Sequence, residues 1–155
     1  MTRLQDFVVQ ELVETERLPQ LMDLFTSAWW MTDRTPDDVT RMVRESDLVL
    51  SVIHTPSDQL VGFTRVLTDY TYVALVLDVL VSDNFRGSGL GATLMDSVVH
   101  HPRLTGVQSI ELVCQPNLIP FYRRWAFTDE VGSSHLMRRT KNPRLTPPGA
   151  QGGAD

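Results

Sequence analysis

The sequence is poor in cysteine, in lysine and in long apolar runs. Its one cysteine, Cys114, excludes an internal disulfide and a cysteine-built zinc site. A reducing, cytoplasmic compartment is expected on that ground. Lys141 is the only lysine; the other thirteen basic residues are arginines, a bias associated with GC-rich bacterial genomes. The longest apolar run, 72–77, stops at Asp78, far short of the roughly 20 residues that span a bilayer. Residues 1–10 mix polar and apolar side chains with no signal-type core. No membrane partner is expected. There is no basic excess either: 14 Lys and Arg face 19 Asp and Glu, a net charge of -5. That balance argues against nucleic acid, which needs a basic face, and favours cationic substrates near the surface. No His, Asp or Glu spacing suggests a metal site, so none is expected.

What is present suits one globular domain. The chain has 155 residues, 42% hydrophobic and 21% charged, enough for a substantial core. Residues 1–140 read as a single domain. From Lys141 to Asp155, six of fifteen residues are Pro or Gly, and 141–155 is expected to be a flexible tail.

Within the domain the periodicity alternates. A strand is predicted at 7–12. Leu18, Leu21, Met22, Phe25, Ala28 and Trp29 recur at helical spacing after Pro19. A second helix is predicted to open with Pro36 after Thr35. Strands follow at 48–54 and 60–68, joined by the turn-rich Thr55-Pro56-Ser57-Asp58. The stretch 72–81 reads as a strand buried on both faces. A helix through Leu90, Leu94, Met95 and Val98 comes next, then a strand at 107–114 and a short helix at 118–125. Two last strands are predicted at 127–131 and 135–139. The order is that of a mixed α/β domain.

The most informative stretch is the turn Arg86-Gly87-Ser88-Gly89-Leu90-Gly91 between a buried strand and an amphipathic helix. Glycines let main-chain N–H groups approach an anion closely. The helix start adds free amides and the positive end of its dipole. A diphosphate fits this design. Neither standard nucleotide signature is matched: Gly-Lys-Ser/Thr is absent, and the glycine spacing is Gly-x-Gly-x-Gly. Taken alone, such a turn can also simply cap a helix.

These residues resemble the Arg/Gln-x-x-Gly-x-Gly signature of the GCN5-related N-acetyltransferases, the GNAT superfamily. The likeness continues through Ile110-Glu111-Leu112-Val113-Cys114 and Pro120-Phe121-Tyr122-Arg123-Arg124-Trp125-Ala126-Phe127, which is similar to the family's strand followed by Phe-Tyr-x-x-x-Gly-Phe. The Pro-Phe-Tyr pattern is most similar to arylalkylamine N-acetyltransferases. Two departures stand out. Ala126 replaces the motif glycine, and Gln115 stands where many relatives carry a cofactor-contacting Asn, leaving Asn117 as the nearest candidate.

The resemblance implies a central mixed sheet of about six to seven strands flanked by about four helices, parted between its two central parallel strands. It implies acetyl-CoA as co-substrate and a primary amine as acceptor, acetylated by direct attack in a ternary complex. It would place cofactor contacts at Val79, Leu80 and Val81, at Arg86, Gly87, Ser88, Gly89, Leu90, Gly91, Ala92 and Thr93, and at Asn117 and Tyr122. Tyr122 is then the candidate acid beside the leaving sulfur; chemically it can equally pack with Phe121 and Phe127. Asp78, a lone carboxylate in an apolar strand, is a candidate base or amine anchor, or a partner for an arginine such as Arg65. Trp29, Trp30 and Arg34, on the first helix and the loop after it, are candidate acceptor contacts; core packing and solvation are the plainer readings. The family relation allows a homodimer, with an exposed Trp29 or Trp30 at its interface. Two other functions fit the same residues: a catalytically silent acyl-CoA-binding regulatory module, and a protein amino-group acetyltransferase.

Overall fold

The computed structural model describes residues 3–146. Five strands form one sheet in sequence order: β1 (Phe7–Gln10), β2 (Leu48–His54), β3 (Gln59–Thr68), β4 (Val73–Val81) and β5 (Ser109–Leu112). The first four are antiparallel neighbours, and β5 joins β4 in parallel. A parallel step needs a crossover, and helix α3 (Leu90–Val99) supplies it. Helices α1 (Leu18–Thr26) and α2 (Pro36–Glu45) cover the other face. The short α4 (Ile119–Tyr122) follows β5, with a 3-10 turn at each end.

Each face of the sheet owns a core. Leu48, Leu50 and Val52 of β2 and Ala74 and Val76 of β4 pack with Leu90, Leu94, Met95 and Val98 of α3. Val49, Ile53 and Phe63 pack with Leu21, Leu24 and Phe25 of α1 and Val39 of α2. Helices α1 and α2, each with a proline near the start, begin as the sequence suggests. Thr35 caps α2, its hydroxyl accepting from the Asp38 amide at 3.2 Å. Buried His101, just beyond α3, meets the Glu11 carboxylate through Nε2 and ties the chain after β1 to that helix.

The strand count is lower than predicted. No strand forms at 127–131 or 135–139. The first carries Asp129 and Glu130 between its apolar ends. In the second Leu136 and Met137 are adjacent rather than alternating, and both stay exposed. Neither segment has one apolar face to bury. Helix α1 also ends at Thr26, so Trp29 and Trp30 lie in the turn after it. Residues 147–155, part of the expected tail, lie outside the described residues. At 143–145 a 3-10 turn forms, and Arg138 donates to the Leu145 carbonyl at 3.0 Å. No helix among the described residues is long and apolar enough to cross a membrane.

Candidate active site

The site begins where the sheet parts. β4 and β5 pair only from Val73 opposite Ser109 to Val76 opposite Leu112. β4 continues to Val81 with β3 alone beside it, so its edge toward β5 has main-chain groups with no strand partner. A bulge sits at the parting point. The register with β3 slips between Phe63 and Arg65, and Asp78 takes φ +56°. The extra residue switches the strand's faces: Ala74 and Val76 face α3 before it, Val79 and Val81 after it, and Leu80 turns to the α1 and α2 side.

Beyond Val81 lies the glycine turn. Gly87 and Gly89 have φ +79° and +86°, a conformation that costs other residues about 1–2 kcal/mol. The turn leaves the amides of Gly87, Gly89, Leu90, Gly91 and Ala92 without an acceptor among the described residues. The Ser88 amide and hydroxyl both go to the Phe85 carbonyl, and the Thr93 amide and hydroxyl to that of Gly89. Their polar groups are therefore engaged within the turn. Gly91 permits close packing, because a Cβ there would sit 3.3 Å from Cζ of Phe121.

The free amides open on a cavity of about 480 Å³, lined by Val81, the turn, Leu118, Phe121 and Arg124. Arg86 is paired with Asp83 at 2.9 Å on the surface. Arg124 has no carboxylate partner among the described residues. Its guanidinium lies 4.9 Å from the Trp125 ring centre and 5.6 Å from that of Phe121. Trp125 is fixed by its own Nε1, which donates to Asp96 at 2.6 Å. Free amides, a helix N-terminus and an unpaired guanidinium form a donor set that fits a diphosphate or phosphate ester. Sequence reasoning did not single out Arg124; its place one helical turn after Phe121 was the available signal.

Tyr122 is buried, in edge contact with Phe121 and Phe127. It lines a second, larger cavity around β5, together with Cys114. Its hydroxyl has no hydrogen-bond partner among the described residues. Burial, and then Cys114, push its pKa up to about 12. Burial, with help from Asp129, also raises the Cys114 thiol, which suits an inert thiol. Ala126, at the motif-glycine position, has φ +63°. The glycine conformation is kept although the residue is not glycine. Asn117 is exposed on the 3-10 turn before α4, and its side chain makes no hydrogen bond among the described residues.

On the α1 and α2 face the Asp78 carboxylate is only 5% exposed. Arg34 grips it twice, Nη1 to Oδ2 at 2.8 Å and Nη2 to Oδ1 at 3.0 Å. Nε of Arg65 adds a third bond at 2.7 Å. Burial pushes the carboxyl up, but the Arg34 hydrogen bond and charge, with Arg65 behind, more than offset it, so its pKa lies below the ordinary value. The raised pKa that suits a general base is absent, and the arginine-paired reading describes what is seen. Arg34 also lies 4.6 Å over the Phe25 ring. Trp29 is 53% exposed and meets Trp30 edge-on at 5.3 Å, while Trp30 packs on the α1 and α2 core. The structure thus brings Arg34, Asp78 and Arg65 together. Tyr122 lines the larger cavity and the turn the smaller, with neighbouring residues Phe121 and Tyr122 of α4 on one each.

A mixed sheet that parts beside a glycine-rich helix start defines a mixed α/β fold with an anion-binding turn at the parted strands. The chain belongs to the GNAT acetyltransferase family, whose description, Acetyltransferase (GNAT) family, matches residues 11–127. It is 31% identical over 112 residues to the uncharacterized N-acetyltransferase ycf52 of Porphyra purpurea, covering 71% of this chain and 64% of that protein. It is 24% identical to GCN5-related N-acetyltransferase 1, chloroplastic, of Arabidopsis thaliana, over 89% of this chain and 71% of that one. Over 67 residues, 43% of this chain and 34% of the relative, it is 37% identical to serotonin N-acetyltransferase 2, chloroplastic, of Oryza sativa. An inferred GNAT-family acetyltransferase of Xanthomonas campestris shares the fold at TM-score 0.74 and 28% identity, covering 88% of this chain and 94% of that one.

Proposed function

We propose that this protein transfers the acetyl group of acetyl-CoA to a primary amine by direct attack within a ternary complex. The observation that carries the proposal is the parting of β4 from β5 above five free amides of one turn. When bound, acetyl-CoA supplies an acyl carbon activated as a thioester. The amides of Gly87, Gly89, Leu90, Gly91 and Ala92, with Arg124, would hold the anionic end. The open edge at Val79, Leu80 and Val81 would take amide groups as an added strand does.

Tyr122 remains protonated at neutral pH, since its pKa is near 12. That value is above a thiol's, about 8.5, so Tyr122 acts best as a hydrogen-bond donor to a leaving thiolate. Asp78 acts through Arg34, holding the turn after α1 against the bulge. Trp29, Trp30 and Arg34 form the acceptor side of this reading. The name of the rice relative supports a small amine as acceptor, and the single cysteine supports a cytoplasmic setting. Ala126 keeps the left-handed turn of the motif, which weighs against a catalytically silent module.

The test has two stages. Calorimetry with coenzyme A should register saturable binding. A panel of amines with acetyl-CoA should then release free thiol in proportion to acetylated product. An absence of coenzyme A binding overturns the proposal; binding without turnover of any amine selects the silent module.

A further inference from the structure

We infer that the acceptor amine carries a carboxylate, received by the terminal nitrogens of Arg65 beside the bulge of β4, with the charge of Arg34 behind it. The inference rests on the acetyl-transfer reading and adds the substrate class.

The starting point is a charge count in one half-buried cluster. Two guanidiniums, Arg34 and Arg65, share a single carboxylate, Asp78. Their side chains are 26% and 15% exposed, and that of Asp78 is 5% exposed. A cation drawn away from water is costly unless an anion faces it. Asp78 balances one arginine, and the other remains. The neighbouring acid does not help: Asp33 is held by Arg144 at 3.5 Å.

The hydrogen-bond capacity leads the same way. Asp78 receives both terminal nitrogens of Arg34 but only Nε of Arg65. The two terminal nitrogens of Arg65 donate to nothing among the described residues. Neither is sealed from solvent, since Gln10 Oε1 is the only sealed and unpartnered side-chain atom found among them. Two parallel N–H donors on one planar guanidinium match a carboxylate. Arg65 lies on β3 opposite Leu77, next to the point where β4 leaves β5.

Charge also discriminates among amines. A simple amine arrives as an ammonium ion and meets a net positive cluster. An amino acid arrives with one positive charge fewer than its decarboxylated counterpart, and its carboxylate fills the open donors while its amine lies near the parted strands.

The experiment compares matched pairs on the full chain: tryptophan with tryptamine, tyrosine with tyramine, lysine with cadaverine. The carboxylate-bearing member of a pair should show kcat/KM higher by about 10-fold or more. Arg65→Met should bring that ratio toward one, while calorimetry shows coenzyme A affinity unchanged; Arg65→Lys should retain part of it. Should Arg65→Met fail to fold, the wild-type ratio and Arg65→Lys decide. Equal or better turnover of the decarboxylated members overturns the inference and leaves acetyl transfer standing, as does a ratio untouched by the Arg65 variants. Failure of the wild type to bind coenzyme A removes both.

Discussion

Replacing Asp78 with asparagine removes one negative charge and leaves shape and backbone nearly alone. Asparagine tolerates a left-handed conformation as aspartate does, so the φ of +56° at this position is not the variable. The amide can still accept through its oxygen. Its NH2 group, however, faces guanidinium donors, and two cations lose their common anion. Breaking a fully buried pair this way costs about 3–5 kcal/mol. Arg34 is 26% exposed and keeps some hydration, so about 2–4 kcal/mol is expected for Asp78→Asn. For about 3 kcal/mol the melting temperature should fall by roughly 6–12 °C. The assay is urea and thermal unfolding of wild type, Asp78→Asn, Arg34→Met and the double variant. The double variant should lose less than the sum of the singles, because it removes both members of one pair. The pH dependence follows from the lowered folded pKa of Asp78. Its contribution is complete above the unfolded value, about 3.9, and is lost as pH falls through the lower folded value. Wild type and Asp78→Asn should therefore converge in stability below about pH 4. A stability loss under about 0.5 kcal/mol at pH 7, or an additive double variant, would refute the clamp.

Four further outcomes are expected. Ala126→Gly should stabilise the protein by about 0.5–1 kcal/mol, because it relieves a left-handed alanine; thermal unfolding checks this. Gly89→Ala meets open space but a φ of +86°, so it should cost about 1–2 kcal/mol and raise the Kd for coenzyme A in calorimetry. Tyr122→Phe should lower kcat by about 10²-fold with coenzyme A affinity unchanged; an unaltered kcat would remove Tyr122 from the chemistry. Arg124→Ala should weaken coenzyme A binding by about 10-fold and flatten its dependence on salt, read by titration at two ionic strengths.

The sequence carried the parts of this fold that local rules dictate. Pro19 and Pro36 announce two helix starts, and Thr35 is where a capping residue belongs. The glycine spacing marks the turn whose amides stand free. The long apolar run of β4 announces a strand, although only its Ala74 and Val76 face is fully buried before the bulge. The missing pieces depend on distant partners. Nothing near Asp78 in sequence shows that Arg34, 44 residues earlier, will hold it. The bulge shows only as one acid among apolar neighbours, a pattern with several structural solutions. The segment at 127–139 has β-forming residues without consistent alternation, so propensity pointed to strands that packing does not support. Arg124 escaped notice because its role depends on the neighbours α4 gives it, Trp125 and the glycine turn.

The inserted residue in β4 fixes the parity of everything that follows. With Asp78 in place, odd-numbered Val79 and Val81 join even-numbered Ala74 and Val76 on one side. A chain one residue shorter between 77 and 79 would restore plain alternation through Val81. Every later side chain would keep its present face, whereas Asp78 drawn into the ladder as an ordinary strand residue would make Leu80 trade sides with its two neighbours and start the glycine turn from a strand end rotated by half a turn. An insertion or deletion between Asp78 and the turn should accordingly be far less tolerated than a substitution, and two compensating length changes there should be tolerated better than either alone.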